Sequence, residues 1–348
     1  MAVIFCNGAF TCMCRGSGAN AACLSNEPLN LPILCGIPSQ NETFSPGLWF
    51  DQCSDRVRLA VSSGGTGWSA GGAMISAINQ GNGGGTSTAA YAYGGTTGTG
   101  NPAVATTEEY NGSAWSSGGA LPAIRRLLFR GCVGTQNAGI AIFGFSAPNN
   151  HCTTYEYNGT TWATGGNGAI TVRNGGAFGT QNSAMAAGGF SAAETNCTQE
   201  YNGTSWSGGG NLIQTRQSNF GAGVSQNSGW VAGGGCGPSF FASTEKYNGT
   251  SWSNSGAMPT TTQLAASTGT ENYAIVAGGR NPTNVTGDSF LFDGYLWTST
   301  CGLITAVACN AAGGNASEGV VFSGQNSSSN IVACTQEWTN PWNYYQLE

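Results

Sequence analysis

The phrase TEEYNGSAW, ending at Trp115, returns as TYEYNGTTW, TQEYNGTSW and TEKYNGTSW, ending at Trp162, Trp206 and Trp252. With Trp68, Trp297 and Trp342, these tryptophans lie 47, 47, 44, 46, 45 and 45 residues apart, which makes six units. A second landmark keeps the register. A glycine closing an apolar run recurs at Gly144, Gly189, Gly234, Gly279 and Gly324, always 45 apart. A repeat of this length is one supersecondary unit that buries its apolar face only by stacking on its own copies.

Each unit reads as four short strands. Strand A precedes a polar turn (GTQN at Gly134 and Gly179, GTEN at Gly269), strand B is the apolar run into the glycine pair, strand C is TQEY or its equivalent, and strand D begins at the tryptophan. With 57 glycines and 7% charged residues, little material remains for amphipathic helices. Asn-Gly between strands C and D predicts a two-residue type I′ hairpin, with Tyr201 opposite Thr204 and Trp206 on the same face as both. Six such units predict an all-β chain: a six-bladed β-propeller, whose radial closure protects its sheet edges. A surplus strand pair around RVRLAVSSGGTGW leaves two options. Either the amino-terminal strand joins the last blade, or residues from about Ala21 supply a seventh. The expected organisation is an irregular Cys-rich segment over residues 1–55 and a propeller over 56–348, its repeats running from Trp68 to Trp342.

The glycine doublet closing strand B, the tyrosine of strand C and the tryptophan opening strand D resemble the kelch repeat. Asn-Gly stands where kelch repeats carry a longer connection, so the resemblance implies the kelch-like fold and no particular activity. The Gly/Ser/Thr/Asn-rich YNGTSW units also resemble kelch-like propellers in structural and appendage proteins of aquatic tailed phages.

The net charge of −6 comes without any Lys/Arg cluster, which argues against nucleic acid. Apolar runs are too short for a bilayer, so membrane insertion is not expected. The amino terminus has no basic n-region of a secretory signal. Six of the thirteen cysteines (Cys6, Cys12, Cys14, Cys23, Cys35, Cys53) nonetheless crowd the first 53 residues. They read as disulfide candidates and point to an oxidising environment. Cys301 and Cys309 flank one segment and are a further candidate pair. The single histidine, His151, cannot build the two-histidine copper site of kelch-type oxidases or a hydrolytic triad, and no cysteine spacing suits zinc, so no metal, cofactor or catalytic residue is expected. Glu109, Glu156, Glu200 and Glu337 recur with the period, which suggests structure over catalysis.

The A–B and C–D turns are near copies from blade to blade, whereas the B–C loops all differ. Binding is therefore expected on the face that carries the B–C and D–A loops. About eleven residues after each tryptophan stand Asn79, Arg126, Arg173, Arg216 (ten) and Gln263, expected to ring the channel mouth, and the adjacent Phe240 and Phe241 lie on a B–C loop. Guanidinium forks suit carboxylate or sulfate, and an aromatic ring suits the face of a sugar. The expected function is that of a non-enzymatic virion appendage or decoration protein, displayed on the virion surface. Its amino-terminal segment attaches to other virion proteins, its propeller meets a host-surface glycan or protein, and it is expected to form a homo-oligomer. A glycan-active propeller enzyme and a kelch-type protein-interaction scaffold are the alternatives.

Overall fold

The computed structural model describes residues 67–98 and 102–340, together with the backbone of several strands outside those ranges. Cys6, Cys12, Cys14, Cys23, Cys35 and Cys53 lie outside the residues whose side chains are described. The chain divides into two units, Met1–Gly64 with Trp342–Glu348, and Gly65–Pro341. In the first, strand Arg56–Ser62 pairs antiparallel with both Gly47–Asp51 and Trp342–Gln346. The strands at Arg56 and at Trp342, assigned from sequence to the propeller, therefore belong to this unit.

The second unit is a ring of six four-stranded antiparallel sheets. Blade 3 is typical: strand A Gly176–Thr180, B Ser183–Ala187, C Thr198–Tyr201 and D Trp206–Gly208. Blade 1 begins at Asn82–Gly85 and blade 6 at Ala311–Gly314. Strand D of blade 6 is Gly67–Ala70, which pairs with Thr335–Thr339 and sets Trp68 opposite Trp338. A strand ahead of blade 1 thus closes the ring at six blades, and among the described residues no seventh is formed.

The Asn-Gly turn differs from the expected one. Tyr201 pairs directly with Trp206, their ring centroids 4.9 Å apart, so the loop holds four residues. Only Gly203 takes a positive φ (88°), whereas a type I′ turn needs two such residues. Asn202 instead accepts two backbone N–H bonds on Oδ1, from Thr204 at 3.0 Å and Ser205 at 2.9 Å. The asparagine works as an acceptor that folds the loop, and the glycine supplies the left-handed residue.

The repeated aromatics join blades. The indole N–H groups of Trp115, Trp162, Trp206, Trp252 and Trp297 each donate to the hydroxyl of a threonine on strand C of the preceding blade, at 2.8–2.9 Å, and Trp68 donates to Ser289 at 3.2 Å. The tyrosines follow the same direction. Tyr157, Tyr201 and Tyr247 donate to Glu109, Glu156 and Glu200 at 2.5 Å, and Tyr110 donates to Glu337. Burial first, and the facing carboxylate second, push these four hydroxyls up to about 12. Their periodic glutamates are thereby engaged in blade-to-blade bonding.

Candidate functional site

The site is built where each strand A enters the ring. Single backbone bridges there join Asn79 to Thr96, Arg126 to Phe145, Arg173 to Phe190, Gln217 to Gly235, Gln263 to Arg280 and Ala308 to Gln325. These twelve residues, two per blade, rim the channel on the face of the B–C and D–A loops. Arg126, Arg173, Asn79 and Gln263 each stand at this bridge in their own blade, Asn79 with its side chain buried. Thr96, Phe145, Phe190, Gly235, Arg280 and Gln325 are the partners across the six bridges. Their signal in the sequence was the position directly after the glycine that closes strand B.

Arg216 is not on the rim. A uniform count of eleven from Trp206 reaches Gln217, which holds the rim position of blade 4. Arg216, one residue earlier, is fully buried and paired with buried Glu245 at 2.6 Å, with further bonds to Gly233 O and Ser243 O at 3.0 Å. Glu245 also caps the D–A loop by accepting the Ile213 and Gln214 amides. Phe241 lies against this same guanidinium, 5.7 Å from centroid to the guanidinium carbon, and is half-buried. Phe240 is half-buried in the short hairpin Gly235–Cys236/Ser239–Phe240. Arg216 and Phe241 thus stiffen the loop from beneath.

On the rim of blades 2 and 3, guanidinium and phenyl groups alternate. Arg126 stands 5.1 Å from the Phe145 centroid, and Arg173 stands 4.7 Å from Phe145 and 4.8 Å from Phe190. Asn150, on the B–C loop of blade 2, fixes Arg173 through a 2.7 Å bond to its Oδ1. Burial, and then the positive charge of Arg126, lower the pKa of Arg173. Neither Arg126 nor Arg173 has a carboxylate partner among the described residues, where Arg216–Glu245 is the one ion pair. Two half-buried cations that repel each other and lack a counter-charge form a place where an anion is favoured.

His151 binds Ser146 at 2.7 Å between its Nε2 and the serine hydroxyl. Burial and nearby Arg125 lower its pKa, so the imidazole is neutral at pH 7 and closes the blade 2 loop. The expected Cys301–Cys309 bridge is not made. Cys309 is a buried free thiol, whereas Cys301 lies at the exposed surface. Among the described residues, no group of three or more His, Cys, Asp or Glu gathers as metal ligands.

No family model and no curated protein matches the sequence. A solved structure titled "Structure of YjhT" resembles the chain with a TM-score of 0.64 at 12% identity, covering 80% of this chain and 100% of the other. At that identity the likeness is one of fold: a β-propeller.

Proposed function

We propose that this propeller is a non-enzymatic binding module whose loop face holds an acidic glycan, and that it serves as an appendage or decoration protein on a virion, of the kelch-like kind found in tailed phages. The observation that supports glycan binding is the Arg126–Phe145–Arg173–Phe190 ladder, where uncompensated guanidinium groups alternate with aromatic rings. Rings of this kind stack on sugar faces, and guanidinium forks take carboxylate or sulfate substituents. The variable B–C loops around the rim would then set which glycan is accepted. The virion placement and the homo-oligomer rest on the repeat's resemblance and on the cysteine-rich amino-terminal segment, through which the protein would attach to its particle.

The periodic carboxylates favour binding over hydrolysis, because Glu109, Glu156, Glu200 and Glu337 are each bound by a tyrosine of the next blade. The reading is tested by titrating the protein with an acidic and a neutral polysaccharide and examining both afterwards for shortened chains. Salt-sensitive binding to the acidic polymer, lost in Arg173→Gln and without chain shortening, is expected. Shortened products would support a glycan-active enzyme, and equal binding to both polymers would remove the role of the arginines.

A further inference from the structure

Directly below the rim, each blade contributes one residue with a left-handed backbone: Gln80, Leu127, Asn174, Ser218, Leu264 and Cys309, with φ between 50° and 61°. Their main chains form a circlet. Asn174 N–H donates to Leu127 O, Ser218 to Asn174 O, Leu264 to Ser218 O, Cys309 to Leu264 O and Gln80 to Cys309 O, at 2.7–3.2 Å. The circlet is open between blades 1 and 2, and the reason lies in sequence. From Arg126 to Gly134 blade 2 has two residues more than blade 3 has from Arg173 to Gly179. The extra length turns its chain inward. Gly131 bridges to Gly221 of blade 4, and the Cys132 amide donates to Ser267 O of blade 5 at 3.2 Å. A methyl group on Gly131 would lie 1.9 Å from Ala177 O, so only glycine permits this approach.

The inward turn carries Arg130 into the channel. Its side chain is 1% exposed, and Nε, Nη1 and Nη2 have no oxygen acceptor among the described residues, the neighbouring Cys309 thiol being the hydrogen-bonding group that meets the guanidinium. The other deeply buried arginines differ. Arg216 has Glu245, and Arg125 bonds the Tyr155 hydroxyl at 3.1 Å and Ile124 O at 2.9 Å. Beside Arg130 lies the thiol of Cys309, a circlet residue. Burial pushes that thiol up despite the two arginines, Arg130 and Arg280, that act on it in the opposite sense. The thiol therefore stays protonated at neutral pH and supplies no counter-charge. A buried guanidinium met only by a neutral thiol is strongly disfavoured without a counter-ion.

We propose that the central channel binds a small monovalent inorganic anion, of the size of chloride, held by the Arg130 guanidinium beneath the circlet. The site is separate from the rim: Arg130 is closed off from a polymer, while a single ion needs only a small opening. Bound there, the ion neutralises Arg130 and fastens the inward turn of blade 2 to blades 4, 5 and 6.

The test is crystallisation of the full chain from sodium bromide, with diffraction recorded at the bromine edge, and thermal melting in chloride against gluconate at equal ionic strength. An anomalous peak within hydrogen-bond distance of Arg130, and a melting temperature that rises with chloride but not gluconate, are expected. Arg130→Met should abolish the chloride dependence. Should that variant fail to fold, the wild-type bromide map and melting series decide alone. Identical melting in both salts, or a bromide map empty at Arg130, would overturn the proposal.

Discussion

The Trp206 indole N–H donates to the hydroxyl of Thr154, one blade earlier, at 2.8 Å. Equivalent bonds recur at every blade junction of the ring. This explains why threonine opens and tryptophan closes each copy of the repeated phrase. The two ends belong to one hairpin in sequence, yet each serves a different junction in space.

Loss of either end of such a bond weakens the ring unequally. Trp252 is buried at 6% exposure, so Trp252→Ala should cost about 3–5 kcal/mol. Thr198→Val, which strands its indole N–H, should cost about 1–3 kcal/mol. Trp206 is half-buried, and its alanine variant should lose less than that of Trp252. Urea unfolding of the three variants measures the order, and an equal loss at both tryptophans would contradict it.

The tyrosine–glutamate bonds predict alkaline sensitivity. The hydroxyls of Tyr110, Tyr157, Tyr201 and Tyr247 titrate near 12 in the fold, against 10.0 for an ordinary tyrosine. Between these values the folded chain holds more protons than the unfolded one. The stability they contribute is complete below pH 10 and is lost as pH rises through 12. Melting temperature should thus be level up to about pH 10 and fall beyond it, and Tyr201→Phe should shallow the fall.

Much of this was legible because it repeats. The tryptophan spacing, the glycine that closes strand B and the strand C tyrosine fix six blades, and a count of eleven from the tryptophan ahead of each strand A finds one rim residue per blade, Gln217 included. Arg216, ten residues after Trp206, drew attention by its charge, whereas the register places Gln217 at the rim. The circlet was hidden for another reason. Leucine at positions 127 and 264 carries no sign of a left-handed backbone, which the neighbouring blades impose through hydrogen bonds. The inward turn of blade 2 was hidden because nothing in RRLLFRGCVGT marks its two extra residues as a departure from the blade.

Leu264 sits at φ 61°, where a branched apolar residue is strained by roughly 1 kcal/mol. Asparagine already occupies the equivalent position of blade 3. Leu264→Asn should therefore raise stability by about 0.5–1 kcal/mol in chemical unfolding, and a loss would mean that the leucine side chain is needed for packing.

The Arg216–Glu245 pair behaves oppositely to a surface salt bridge. Both side chains are at 0% exposure, so Glu245→Ala leaves a buried charge unmatched and should cost about 3–5 kcal/mol. Arg216→Met with Glu245→Leu should recover a large part of that loss. A double-mutant cycle in urea reads the coupling, and a single variant within 0.5 kcal/mol of wild type, roughly the surface range, would contradict the burial.

Phe145 separates position from charge in the proposed glycan site. It lies between two guanidinium groups, 5.1 Å from Arg126 and 4.7 Å from Arg173, and holds both in place without adding charge. Removing its ring should free both arginines and forfeit two cation–π contacts of about 0.5–1 kcal/mol each, which is about a fivefold to thirtyfold loss of affinity for an acidic polysaccharide. The charges remain, so Phe145→Ala should keep the salt dependence of wild type, whereas Arg173→Gln should flatten it. Isothermal titration at two salt concentrations measures both quantities. An unchanged affinity in Phe145→Ala would show that the rim arginines act as independent charges and that the ladder has no part in binding.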